Sequence, residues 1–229
     1  MERFRRVITV VIVSLLFSAA AYGDTWTTNK MITNTLGDSK YPAIAVDDLK
    51  VYVVWEDNTP DLLNKEIYFK KSVDGGVTWK TDKRLTNNAG DSRYPRIAVD
   101  GSNIYVVWTD YTPGAPEIYF KKSDDGGATW RTNKRLTNNA GYSYAPAIAV
   151  DGSNIYVVWT DDTPGNLEIY FKKSTDGGST WKQTRLTNDS LGSQYPAIAA
   201  DGSNVYIVWQ NFISMPPNYE IYFKKGVLF

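Results

Sequence analysis

Ser123-Asp-Asp125-Gly-Gly127-Ala-Thr129-Trp130 has two counterparts in the same chain, Ser72-Val-Asp74-Gly-Gly76-Val-Thr78-Trp79 and Ser174-Thr-Asp176-Gly-Gly178-Ser-Thr180-Trp181, each 51 residues from the next. A fixed period of this length marks a repeat architecture, in which one supersecondary unit stacks on copies of itself. Laid over one another, the units divide into the same four short segments. In the second unit Pro95-Arg-Ile97-Ala-Val99 reads as a first strand, Asp100-Gly101-Ser-Asn103 as a tight turn, and Ile104-Tyr-Val-Val-Trp108 as a second strand. The Asp-Gly pair provides the positive φ that a two-residue hairpin needs. A longer loop, Thr109 to Pro116, leads to a third strand, Glu117-Ile-Tyr-Phe-Lys-Lys122, and the quoted turn to a fourth, Thr129 to Thr137. Each unit is therefore expected to be a four-stranded antiparallel meander. Ile104, Val106 and Trp108 point to one side of the second strand, and Tyr105 and Val107 to the other. A sheet that is apolar on both faces must be covered on both, as blades are when they pack around an axis.

The quoted turn explains itself mechanically. The aspartate (Asp74, Asp125, Asp176) can accept hydrogen bonds from its own turn, and the two glycines that follow permit backbone angles other residues resist. The serine (Ser72, Ser123, Ser174) can add a further bond. The tryptophan (Trp79, Trp130, Trp181) then projects back between sheets as a large buried aromatic surface. Three identical aspartates in three equivalent turns read as scaffold, since function sits where equivalent repeats differ.

The Ser-x-Asp-x-Gly-x-Thr-Trp pattern, with Gly76, Gly127 and Gly178 at its glycine position, resembles the Asp-box, or bacterial neuraminidase, repeat of the sialidase-like superfamily. That resemblance covers nearly all of the chain after residue 23 and implies β-propeller blades, with Asp boxes joining third to fourth strands and the functional surface on the opposite face. It does not imply one activity, because the family includes sialidases, other glycoside hydrolases and propellers that only bind.

The first 23 residues stand apart. Arg3, Arg5 and Arg6 precede the apolar run Val7 to Phe17, and Ala21-Tyr22-Gly23 offers small residues for cleavage, which is the pattern of a secretory signal peptide. An uncleaved anchor would need about 20 apolar residues, and Val7 to Ala21 provides only 15. Residues 24-229 are expected to form one exported propeller domain, periplasmic or extracellular. The whole chain has net charge 0, and removing the leader takes away three Arg and one Glu to leave −2. Nothing in that balance draws the domain to nucleic acid or, after cleavage, to a membrane. The chain has no Cys and no His, which excludes disulfides, Cys or His nucleophilic triads and His-based metal sites. No cofactor and no metal site is expected.

Strand counting predicts closure. The mature chain opens at Asp24-Thr-Trp26-Thr-Thr-Asn-Lys-Met-Ile-Thr33, which resembles a fourth strand, and it ends on Glu220-Ile-Tyr-Phe-Lys-Lys225, a third. The expectation is an all-β, four-bladed ring of four-stranded antiparallel blades, closed by the amino-terminal strand completing the last blade. The alternatives are a piece of a larger propeller or two chains joined as an eight-bladed ring. A monomer is expected, with a dimer as the alternative.

Function is expected on the face opposite the Asp boxes, where equivalent positions diverge. The candidate ligand-binding residues are Lys40, Arg93, Arg96, Tyr111, Tyr142, Tyr144 and Phe212. Arg96 stands where the other units have Ala43, Ala147 and Ala197. An arginine on a crowded innermost strand must reach the channel mouth or find a carboxylate, and an internal ion pair with Asp57, Asp110 or Asp161 is the preferred reading of it. The sialidase chemistry that the resemblance would imply needs an arginine triad, which the repeat-equivalent Arg84, Arg135 and Arg185 do not supply. No catalytic residue is assigned. A non-catalytic propeller binding a glycan or an extracytoplasmic protein is the leading expectation, and a glycoside hydrolase the alternative.

Overall fold

The computed structural model describes residues 25–59, 62–215 and 217–227, so the expected signal peptide, residues 1–23, lies outside the described residues. Fifteen strands form four antiparallel sheets. The first contains β1 (Ser39–Asp47), β2 (Lys50–Asp57), β3 (Glu66–Ser72) and β4 (Lys83–Arg84). The second contains β5 (Ser92–Asp100), β6 (Asn103–Asp110), β7 (Glu117–Ser123) and β8 (Lys134–Arg135), and the third β9 (Ser143–Asp151), β10 (Asn154–Asp161), β11 (Glu168–Ser174) and β12 (Lys182–Arg185). The fourth has three strands, β13 (Ser193–Asp201), β14 (Asn204–Ser214) and β15 (Pro217–Val227). Strand order follows chain order in every sheet, as a meander requires.

The strands sit where the repeats place them, with informative differences. The first turn is a two-residue hairpin, Asp100 pairing Asn103 across Gly101 at φ 57°. In the first unit Asp48 takes that position at φ 53°, which a short polar side chain tolerates better than most. The fourth strands are two to four residues long rather than nine. The backbone is tied at both ends, Arg131 N–H to Lys122 O at 2.8 Å and Leu136 N–H to Ile118 O at 2.7 Å. Between these ties Asn133 turns its side chain to Lys121 Nζ at 2.8 Å instead of continuing the ladder. After Trp209, β14 and β15 run on as a hairpin in which Phe212 pairs Tyr219.

The core lies between successive sheets. Tyr52, Val54, Ile67 and Phe69 of the first pack on Ile97, Ile104, Val106 and Trp108 of the second. Tyr105, Val107, Ile118 and Phe120 repeat this against Ile155, Val157 and Trp159. The alternation predicted for the second strand is thus realised, one face per neighbour. Fully burying each such side chain contributes about 1.5–3 kcal/mol. The Asp-box tryptophans complete these interfaces from the next sheet: Trp130 meets Phe69 edge-on at 5.1 Å, and Trp181 meets Phe120 at 5.3 Å. Gly127 is required there, since a Cβ would stand 2.6 Å from Phe69 Cζ. Asp125 accepts from Ser123 Oγ at 2.8 Å and from Thr129 at its amide (2.8 Å) and hydroxyl (2.5 Å). Asp74 and Asp176 repeat the arrangement.

The expected amino-terminal strand is not among the strands: residues 25–38 carry none, and among the described residues β15 has no fourth strand beside it. Ile44 of β1 and Ile221 of β15 are 64% and 73% exposed, so no described residue covers the outer faces of the first and last sheets there.

Candidate functional site

Each innermost strand begins with a β-bulge, and each bulge holds a residue before proline at positive φ: Tyr41 at 51°, Tyr94 at 55°, Ala145 at 51° and Tyr195 at 53°. A non-glycine residue in that region is strained, and the following proline restricts it further. Such strain persists only where surroundings enforce it. Two of the anchors come from the preceding sheet: Glu56 Oε2 accepts the Tyr94 N–H at 3.1 Å, and Thr160 Oγ1 accepts the Tyr195 N–H at 3.0 Å. Thr109 stands between them in the repeat, and its buried hydroxyl has no partner.

The bulges turn their side chains into one cavity of about 380 Å³, lined by Tyr41, Tyr94, Arg96, Tyr111, Tyr144, Ala145 and Tyr195. Its volume lies within the usual range for small-ligand sites. Tyr41 meets Tyr94 edge-on at 4.8 Å and Tyr144 meets Tyr195 at 6.2 Å, so the wall is made of two aromatic pairs. Burial pushes the Tyr144 hydroxyl up to about 12 and raises that of Tyr111, which keeps both phenols protonated as donors.

Three of the seven candidate residues, Arg96, Tyr111 and Tyr144, meet in this cavity. Arg93 lies beside it, its Nε 2.8 Å from Asp91 and its guanidinium 5.5 Å over the Tyr111 ring. The other three do not line it. Lys40 pairs with Asp38 at 2.7 Å on the exposed rim, Tyr142 is 54% exposed, and Phe212 packs on Tyr219 at 5.4 Å in the hairpin. Tyr41, Tyr94 and Tyr195 line the cavity too, although they are not among the seven. The recurring Tyr-Pro pair was the available signal.

The internal ion pair expected for Arg96 is not formed. Its Nη1 donates to the Pro95 carbonyl at 2.9 Å, and no ion pair among the described residues includes it. Asp57, Asp110 and Asp161 are committed elsewhere. Asp110 Oδ2 accepts from the Trp108 indole at 2.9 Å and from Asn88 at 2.5 Å, while Oδ1 accepts the Thr112 amide at 2.9 Å. Burial alone would push Asp161 up, but hydrogen bonds from Thr163, Trp159 and Ser143 outweigh it and the carboxyl ends below its ordinary value. Each of these aspartates, two residues beyond Trp55, Trp108 or Trp159 in a recurring Trp-x-Asp, therefore caps the loop after the second strand. Among the described residues no cluster of three or more acidic groups is placed to hold a metal, and no helix is long and apolar enough to cross a membrane.

Four consecutive antiparallel meanders with a cavity at the head of their innermost strands define an all-β, propeller-like protein. No protein-family model matches the chain. It is 31% identical over 157 residues to the xyloglucanase Xgh74A of Acetivibrio thermocellus, covering 60% of this chain and 18% of that enzyme. It superposes with a TM-score of 0.62 on the GH93 α-L-arabinofuranosidase of Fusarium graminearum, at 18% identity, covering 82% of this chain and 62% of the other. It superposes with a TM-score of 0.56 on the Trypanosoma rangeli sialidase at 17% identity, covering 81% and 36%. The chain thus spans about a fifth of the curated relatives it matches and less than two thirds of either superposed chain. At these identities the superpositions establish the fold.

Proposed function

We propose that this chain is an exported propeller of the Asp-box type that binds a glycan, without cleaving it, in the tyrosine-walled cavity at the mouth of its innermost strands. The observation that carries this reading is the cavity itself. Rigid aromatic rings from all four sheets converge on about 380 Å³, and the flat faces of sugar rings stack on such walls while phenol and guanidinium donors meet their hydroxyls. Export rests on the leader at residues 1–23, and a propeller exposed outside the cytoplasm meets polysaccharide and protein alike. The glycan is favoured over a protein partner because the site is concave.

The resemblance to glycoside hydrolases supports a second reading, a hydrolase or one section of a larger propeller enzyme. Hydrolysis would need two carboxylates facing across a cleft. Those at this mouth are engaged: Glu56 with Lys65 at 2.8 Å, Asp91 with Arg93, and Asp110 with Trp108, Asn88 and Thr112. Titration calorimetry with a panel of oligosaccharides, run beside an aryl-glycoside turnover assay, separates the two readings. Binding that weakens at least about tenfold on Tyr111→Ala, with no turnover, is the expected result. Turnover abolished by Asp110→Ala but not by Asp125→Ala would overturn it.

We further propose that residues 24–33 supply the fourth strand of the last sheet and close a ring of four blades. Support comes from the next sheet along. Lys121, Lys172 and Lys224 each donate to the carbonyl of the leucine after the preceding unit's fourth strand, Leu85, Leu136 and Leu186. Lys70 donates in the same way to Ile32 O at 2.6 Å. Residue 32 thus holds the place of that leucine, as if a preceding sheet were present.

A further inference from the structure

Arg96 is the largest departure from the repeat at the mouth. Ala43, Ala147 and Ala197 occupy its position in the other units, so the strand geometry does not call for an arginine there. The residue pairs with Val107 in the β5–β6 ladder, directly after the bulge at Tyr94 and Pro95. Its side chain forms part of the cavity wall with Tyr41, Tyr94, Tyr111, Tyr144 and Tyr195. Arg96 itself stays open to solvent, and the rings beside its guanidinium shield part of it and lower its pKa.

The nearby carboxylates are already engaged. Glu56 takes Lys65 and the Tyr94 amide, Asp91 takes Arg93 and the Lys65 amide, and Asp162 takes the Tyr142 amide. Arginine remains charged at any physiological pH, and one bond to a backbone carbonyl leaves most of its five N–H donors free. A solvent-reachable guanidinium in the cavity wall that no carboxylate pairs can take a planar oxyanion, gripping it with two parallel hydrogen bonds. The tyrosines around it suit the rest of a sugar ring.

We propose that Arg96 forms an anion subsite and that the ligand of the mouth is an acidic saccharide, its carboxylate or sulfate held by Arg96 while the ring stacks on the tyrosine wall. The proposal rests on the glycan-binding reading above and gives that site a substrate class. Replacing the arginine is structurally safe, since Arg96→Ala restores the residue that three of the four units carry.

The test is titration calorimetry on the processed chain with three probes: a trigalacturonide, its fully methyl-esterified form, and a sulfated galactose trisaccharide. The trigalacturonide or the sulfated probe is expected to bind at least about tenfold more tightly than the neutral ester, and which of them does so distinguishes carboxylate from sulfate. Arg96→Ala should erase that preference while the melting temperature stays unchanged, and Arg96→Lys should recover part of it. Equal affinity for all three probes, unaffected by Arg96→Ala but lost with Tyr111→Ala, would overturn the anion subsite and leave the glycan-binding mouth standing. No binding of any probe, or binding indifferent to both substitutions, would overturn the subsite and the mouth together.

Discussion

The first three sheets and the fourth are built from the same sentence of sequence, yet their third strands live in different surroundings. Ile67, Ile118 and Ile169 are 0% exposed, whereas Ile221 at the same repeat position is 73% exposed. Phe69, Phe120 and Phe171 are buried, while Phe223 is 63% exposed. Glu66, Glu117 and Glu168 are buried and paired with Arg84, Arg135 and Arg185, and Glu220 is exposed with no arginine strand beside it. A blade of this kind is therefore not a self-sufficient unit. Its third strand becomes core only when a fourth strand and the next sheet cover it, which is the rule for stacked repeats.

The sharpest way to break this contrast is to truncate equivalent isoleucines and compare urea unfolding. Ile118→Ala should cost about 2–5 kcal/mol, the usual range for emptying a packed aliphatic site. If residues 24–33 close the ring, Ile221→Ala should lose a comparable amount. A loss for Ile221→Ala within about 0.5 kcal/mol, the level of an ordinary surface change, would show that the last sheet stays uncovered and would sink the closure proposal.

A second difference lies in a polar pair. Asn88 donates to Asp110 at 2.5 Å and Asn139 to Asp161 at 2.8 Å, but in the fourth unit the partners are reversed, with Asn211 donating to Asp189 at 3.2 Å. Asn211→Asp sets two carboxylates against each other in a buried place and should destabilise by about 1–3 kcal/mol. Adding Asp189→Asn restores the order found in the other units and should recover that loss in thermal unfolding. It also gives the unpartnered Trp209 indole the acceptor that Trp108 has. A double variant as unstable as Asn211→Asp alone would break the equivalence.

The smallest effect concerns the Asp-box turns of the first three sheets. Hydrogen bonds from Ser72 and then Thr78 hold Asp74 at about 2, and those from Thr129 and Ser123 lower Asp125 likewise. A carboxyl whose folded value lies below its unfolded value near 4 contributes stability that is complete above that value and is lost as pH falls towards the folded one. Asp74→Asn should therefore lower the melting temperature at pH 5 and make progressively less difference between pH 4 and 2. A gap that stayed constant across that window would refute the assignment.

Much of this molecule was legible in advance because its signals are local. The Asp-Gly hairpins, the alternation of Ile104 to Trp108, the Asp-box hydrogen bonds and the Trp-x-Asp loop caps each involve residues within a few positions of one another. The errors came from longer reach. The fourth strands are short, and in the second unit Asn133 turns to Lys121 where the ladder would continue. Phe212, a candidate for the site, instead pairs with Tyr219 in the β14–β15 hairpin.

The candidate site divides in the same way. The sequence by itself determined the period, the strand order, the two apolar faces of each blade and the singularity of Arg96. Only the tertiary structure decided that Tyr41, Tyr94, Tyr144 and Tyr195, roughly one repeat apart, share a cavity, and that no carboxylate reaches Arg96. The physical reason is that turns and strand alternation are set by neighbours along the chain. The company a side chain keeps at the mouth is set by how four separate sheets meet, and by which of their carboxylates have already been taken by nearer donors.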